Sequence, residues 1–166
     1  MNYAKIKPVD IANGIGVRVS LFVSGCPHHC KGCFNEELWS YSVGQEYGLD
    51  TAQEIMELCS KPYITGLSLL GGEPLAPENA HDVTTLAAIF KKRFPNKDLW
   101  CYTGYRFEDV KHLRIMKYLD TLVDGQFVES LKNLSIKFRG STNQRIIDVQ
   151  KSLESKSVVL RKELME

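Results

Sequence analysis

The chain has 166 residues, 43% of them hydrophobic and 25% charged, with 21 Lys and Arg set against 20 Asp and Glu for a formal charge of +1. These values suit one domain with a proper core and exclude disordered, collagen-like and coiled-coil classes, while near-neutral charge gives no reason to expect a nucleic-acid or acidic-membrane partner. The longest apolar runs, such as Val17 to Val23, fall far short of the ~20 residues of a membrane span, and no apolar stretch follows Lys5 and Lys7 as in a secretory signal, so a soluble, cytoplasmic protein is expected.

In chain order, Arg18 to Gly25 reads as a β-strand running directly into a cysteine-rich loop, Ser24-Gly25-Cys26-Pro27-His28-His29-Cys30-Lys31-Gly32-Cys33-Phe34-Asn35. A helix is expected over Thr51 to Cys59, because Ala52, Ile55, Met56 and Cys59 recur at helical spacing, with Asp50 or Thr51 as its cap. Gly66 to Leu70 is a short apolar strand ending at Gly71-Gly72-Glu73-Pro74. Asn79 to Arg93 places Val83, Leu86, Ala87 and Phe90 on one helical face, and its Lys91-Lys92-Arg93 end suits the negative pole of the helix dipole. Asp98 to Tyr102 is the next strand, Phe107 to Tyr118 the next helix, and Thr121 to Asp124 the strand after it.

Alternating strands and helices predict an α/β fold, a mainly parallel sheet with helices packed outside. A complete eight-fold barrel needs ~250 residues, so an incomplete TIM-type barrel or an open sheet is expected. Residues 1–150 form the expected domain, and residues 151–166 read as a charged surface extension with freedom to move. In such folds ligands gather at the carboxyl ends of the strands. The cysteine loop, Gly71-Gly72-Glu73-Pro74, Thr103-Gly104-Tyr105 and Asp124-Gly125-Gln126-Phe127 all fall there.

The five cysteines are Cys26, Cys30, Cys33, Cys59 and Cys101. An odd number without an export signal argues for a reducing compartment rather than a disulfide framework. Three thiols within eight residues can converge on one soft metal centre. His28 or His29 could complete a closed Cys3His zinc site, of structural use only; alternatively an iron–sulfur cluster keeps one position open for chemistry. A simple electron carrier would show a fourth cysteine at motif spacing. Cys59 and Cys101 stand singly in apolar surroundings and read as small buried hydrophobes. Gly71 and Gly72 let a backbone approach a ligand closely, and Glu73 offers a carboxylate suited to an ammonium group.

Cys26-x3-Cys30-x2-Cys33 resembles the cluster motif of the radical S-adenosylmethionine enzymes. Within that superfamily, the segment from Met1 to about Arg145 is similar to the activating proteins of anaerobic ribonucleoside-triphosphate reductases. The likeness is carried by Met1-Asn2-Tyr3, Pro8-Val9-Asp10-Ile11, Asn13-Gly14, Leu21 to Cys26, Trp100-x-Tyr102-Thr103-Gly104-Tyr105, Val123-Asp124-Gly125 and Arg139-Gly140-Ser141-x-Asn143-Gln144. The resemblance implies one [4Fe–4S] cluster held by Cys26, Cys30 and Cys33, with an open iron that binds S-adenosyl-L-methionine. It assigns the cofactor surroundings to Gly32, Phe34, Asn35, Gly71, Gly72, Glu73, Thr103, Tyr105 and Asp124, and contact with a partner to Arg139, Ser141 and Asn143. The implied reaction is reductive cleavage of S-adenosylmethionine, fed by reduced flavodoxin or a similar donor. The resulting 5′-deoxyadenosyl radical takes hydrogen from a C-terminal glycine of the reductase large subunit. A different glycyl-radical protein, a small-molecule substrate, or a non-enzymatic zinc or iron–sulfur module are the alternatives. Gly32 stands where many of these enzymes carry an aromatic residue, with Phe34 after the cysteine instead, and Ile15 stands where the family commonly has proline.

Overall fold

The computed structural model describes residues 1–166. Seven strands form one sheet: β1 (Asn2–Asp10), β2 (Arg18–Val23), β3 (Gln45–Glu46), β4 (Gly66–Gly71), β5 (Asp98–Tyr102), β6 (Thr121–Asp124) and β7 (Arg145–Asp148). Their spatial order is β3-β1-β2-β4-β5-β6-β7. The four central strands β2, β4, β5 and β6 are mutually parallel. β1 and β7 flank them antiparallel. The sheet is therefore α/β and mainly parallel, and it is open at both edges.

Helices α1 (Leu49–Cys59), α2 (Pro77–Arg93), α3 (Phe107–Val110) and α4 (Val149–Ser155) connect or follow these strands. Side chains alternate across the sheet. Val19, Leu21 and Val23 of β2, Leu67 and Leu69 of β4, Leu99 and Cys101 of β5, Leu122 and Ile147 enter one core with Ile55, Met56, Val83, Leu86 and Phe90 of α1 and α2. The helices thus cover a single face. On the other face Phe22 of β2 opposes Leu70 of β4, and Tyr102 of β5 opposes Val123 of β6.

A buried guanidinium anchors the end of the sheet remote from the cysteines. Arg18, fully buried, donates to Ser68 Oγ at 2.7 Å, to Asp98 Oδ1 at 2.6 Å and to the Ile15 and Leu67 carbonyls. Five donors in a planar fork are all used within the interior only when such acceptors surround them.

Two expectations need correction. The cap of α1 is Gly48 rather than Asp50 or Thr51; Thr51 instead turns its hydroxyl back to accept from the Gly48 N–H at 3.1 Å. The helix expected over Phe107 to Tyr118 stops at Val110, and a 3-10 turn over Arg114–Lys117 carries Ile115 and Met116 into the core. Residues 151–166 run along the surface and touch the sheet. α4 crosses residue 150, Lys156 closes it in the left-handed conformation, and Leu160 bridges back to Ile147 of β7. Arg161 then donates to Thr121 Oγ1 at 2.9 Å, and Leu164 and Met165 cover Trp100, Val123 and Ile146.

Candidate active site

Because β2, β4, β5 and β6 run the same way, their following loops meet at one edge. Hydrogen bonds lace the first two together. Gly72 N–H donates to the Val23 carbonyl at 2.8 Å, and Glu73 N–H to the Gly25 carbonyl at 2.7 Å. Gly71 takes φ +115°, a conformation a side chain rarely adopts, so the chain can leave β4 pressed against β2.

Above the Phe22, Leu70, Tyr102 and Val123 floor lies a cavity of about 510 Å³, within the size range of small-molecule and cofactor sites. Cys26, Cys30 and Cys33 all line it, together with Phe34, Asn35, Gly71, Gly72, Glu73, Thr103 and Gly104. The connection between β6 and β7 forms its far wall through Phe127, Ile136, Phe138, Arg139 and Gly140. All five cysteines are free, and the three of the loop are half-buried. Burial raises the thiol pKa of Cys26 and of Cys30 above the usual cysteine value. A cationic metal centre opposes that tendency by stabilising thiolate.

Both loop histidines are engaged away from the thiols. His28 Nε2 lies 2.7 Å from Glu73 Oε2 and its Nδ1 lies 3.3 Å from the Gln126 amide nitrogen. His29, in the left-handed conformation, stacks on Trp39 with centroids 4.4 Å apart and planes at 8°. No group of three or more His, Cys, Asp or Glu side chains is gathered closely enough to hold one metal ion. A set of three soft thiolates along one cavity wall, with both histidines otherwise bonded, fits an iron–sulfur cluster better than a Cys3His ion.

The other expected residues divide by position. Asn35 Nδ2 donates to the Gly71 carbonyl at 3.3 Å, tying the end of the cysteine loop to β4. Phe34, 53% exposed, packs on Phe127 with centroids 5.1 Å apart and lies under the Lys132 ammonium. Glu73 is 1% exposed and borders the cavity, and its carboxylate is held by its neighbours. Its Oε1 accepts from Thr103 Oγ1 at 2.7 Å and Leu75 N–H at 2.9 Å, and its Oε2 accepts from Gly104 N–H at 2.7 Å as well as meeting His28. Thr103 therefore works as a buried strut. Gly32, exposed in the left-handed region at φ +76°, faces the side chain of Glu129.

Tyr105 and Asp124 do not line the main cavity. They border a smaller polar hollow of about 390 Å³ on the far side of His28 and Gly104. Asp124, 1% exposed, accepts from the Phe107 N–H at 2.8 Å and pairs with Arg145, which also forks onto Glu108. Arg139 borders the main cavity but donates to the carbonyls of Gln144 and Met165. Ser141 accepts from Val128 N–H, and Asn143 donates to the Gln126 carbonyl, so both shape their own loop. Sequence reading missed Tyr102, Trp39, Phe127 and Asn13 as cavity walls. The signals were Asn13 beside Gly14, Tyr102 at the end of a strand and Phe127 in the loop after Asp124; Trp39 had none.

Comparison with known proteins adds an independent line. The profile of a 4Fe-4S single cluster domain matches residues 12–147. An anaerobic ribonucleoside-triphosphate reductase-activating protein of Enterobacteria phage T4 is 46% identical over 146 residues, covering 88% of this chain and 93% of that protein. Proteins of the same name from Escherichia coli K12 and Vibrio cholerae are each 40% identical, covering 87% and 88% of this chain and 96% and 97% of their own lengths.

Proposed function

The chain belongs to the family of anaerobic ribonucleoside-triphosphate reductase-activating proteins, and we propose that it installs a glycyl radical on a reductase of that kind. One observation carries the reading: Cys26, Cys30 and Cys33 line a single cavity with the bare backbone of Gly71 and Gly72 at the carboxyl edge of the parallel strands. The three thiolates are assigned as the ligands of one [4Fe–4S] cluster, leaving one iron for S-adenosyl-L-methionine. When bound, this pair supplies an electron to the sulfonium and a 5′-deoxyadenosyl radical able to take hydrogen from a C-terminal glycine of the reductase large subunit.

The protein's own residues hold and shield. Gly71 and Gly72 keep the wall beside the cluster free of side chains, while Asn35 fixes that wall to the cysteine loop. Phe34 and Phe127 supply an aromatic surface for a flat ring such as adenine, in place of the aromatic residue that Gly32 lacks. Glu73 and Thr103 support this wall from behind, and Asp124 with Arg145 holds the turn after β6. Tyr105 backs the same wall against His28. Arg139 is the member of the Arg139, Ser141 and Asn143 set that borders the cavity, where an incoming peptide would meet it beside the carbonyls it already bonds.

We read the open sheet as part of a TIM-type barrel. Helices covering one face and a ligand cavity on the other, at the strand carboxyl ends, support this reading. A small, incomplete wall suits a large protein substrate. Reduced flavodoxin or a similar low-potential carrier is the proposed electron donor, and five free thiols suit a reducing cytoplasm. Anaerobic incubation of the iron-loaded protein with reductase, S-adenosylmethionine and reduced flavodoxin tests the proposal. A glycyl doublet by electron paramagnetic resonance is expected; 5′-deoxyadenosine release without that doublet would redirect the assignment to another substrate.

A further inference from the structure

His28 lies between two of the cysteines, yet its ring faces away from them into the junction of four loops. Its side chain is 8% exposed. One edge meets Tyr105, with centroids 4.6 Å apart at 73°. Gly104 lies so close that a Cβ there would sit 2.5 Å from His28 Cδ2. An amide nitrogen has no lone pair to offer, so the Gln126 amide at 3.3 Å donates to Nδ1. The ring proton consequently sits on Nε2, which donates to Glu73 Oε2 at 2.7 Å. Glu73 in turn collects Leu75 N–H of its own loop and Thr103 Oγ1 and Gly104 N–H from the end of β5.

We propose that His28 is a positioning residue, a flat two-sided clamp that joins the cysteine loop to the ends of β4 and β5 through Glu73 and to the end of β6 through Gln126. Resting on the function proposed above, the inference deepens it. The clamp sets the separation between the thiols and the Gly71–Gly72 wall, and so the space left for S-adenosylmethionine. A rigid ring suits this role because its two nitrogens hold their partners at opposite edges, whereas a flexible chain would let the loops drift.

The length of the replacement side chain separates this role from simple space filling. A glutamine amide nitrogen reaches roughly where Nε2 lies and can donate to Glu73, while the asparagine amide reaches only the Nδ1 position. The variants His28→Gln, His28→Asn and His28→Ala are prepared as full chains, with and without iron and sulfide reconstituted anaerobically. In the iron-loaded proteins, affinity for S-adenosylmethionine and its effect on the spectrum of the reduced cluster are measured. In the unloaded proteins, hydrogen exchange of the Gly104 amide is followed.

His28→Ala and His28→Asn are expected to keep their iron but to bind S-adenosylmethionine on the order of tenfold more weakly, a loss typical of one hydrogen bond to a charged group. Their Gly104 amides should exchange faster by a similar factor, and His28→Gln should restore both properties to near wild type. Wild-type behaviour of His28→Ala in both measurements overturns the clamp, as does equal impairment of His28→Gln and His28→Ala. If wild-type protein shows no response to S-adenosylmethionine, the function assignment fails instead, and the exchange measurement still decides on the clamp.

Discussion

The side-chain amide of Asn79, buried in the first turn of α2, donates to the carbonyl oxygen of Ser24 at 3.0 Å, two residues before Cys26. The same nitrogen donates to the Glu73 carbonyl, also at 3.0 Å. One side chain on the helical layer therefore holds both loops that border the cavity. Replacing it with alanine leaves the Ser24 carbonyl unpaired, while the Glu73 carbonyl keeps the Ala76 N–H at 3.2 Å, at a cost of about 1–3 kcal/mol. Denaturant unfolding of Asn79→Ala should show that loss, and Asn79→Asp should be worse, because a carboxylate meets two acceptors. An unchanged midpoint in both variants would refute this role.

The five thiols should separate into two classes. Alanine at Cys26, Cys30 or Cys33 is expected to abolish cluster retention and 5′-deoxyadenosine formation. At Cys59 or Cys101 the same change should leave iron content intact and cost roughly 1–2 kcal/mol of stability. Burial pushes the Cys59 thiol up to about 12 and Cys101 well above its usual value. Alkylation of the folded, iron-free protein followed by mass spectrometry should accordingly label the three loop cysteines and spare these two. Full activity of Cys30→Ala would contradict the ligand assignment.

Arg18 makes its contacts at the opposite end of the sheet from the cysteines. Removing it takes the cation from Asp98, which is partly exposed and keeps the Trp100 indole N–H, and empties the buried space of the side chain, so Arg18→Ala should lose about 2–4 kcal/mol. The fraction that still folds should take up as much iron per molecule as wild type. Selective loss of iron with stability preserved would be the opposite result, and would mean that the two ends of the sheet are coupled.

Acid should weaken the Arg145 junction. Hydrogen bonds from Arg145 are the main cause holding the Glu108 carboxyl down at about 2, well below its ordinary range. A folded-state value below the unfolded one means that the stabilisation is fully present above about pH 4.5. It is lost as pH falls from there to about 2. Glu108 is nearly half exposed, so the effect is small. Denaturation midpoints followed across that window should fall less steeply for Glu108→Gln than for wild type; parallel curves would show that the pair contributes nothing.

The central strands were legible because they are short, buried apolar runs ended by glycine or aspartate. β5 and β6 have the expected bounds, and β2 and β4 end within two residues of them. β1 was not legible. Lys5, Lys7 and Pro8 mask its pattern, register shifts interrupt its pairing with β2, and it is a strand only because β2 and β3 lie beside it. The contacts of the tail were hidden for a related reason: Arg161 and Met165 find their partners in Thr121 and Arg139, remote in sequence. Within the site, thiol spacing pointed to the cysteines directly. The bonding of Glu73 depends on Thr103, Gly104 and His28 arriving together, which no local pattern encodes.

Since the helical layer protects one side of the sheet alone, the segment from Phe127 to Gly140 is the principal screen over the thiols. That screen is a connection without long regular elements, and an opening wide enough to admit a peptide also admits dioxygen. Sensitivity to air follows from the same architecture as access to a macromolecular substrate. Swift inactivation outside an anaerobic chamber is the expected companion of its reach.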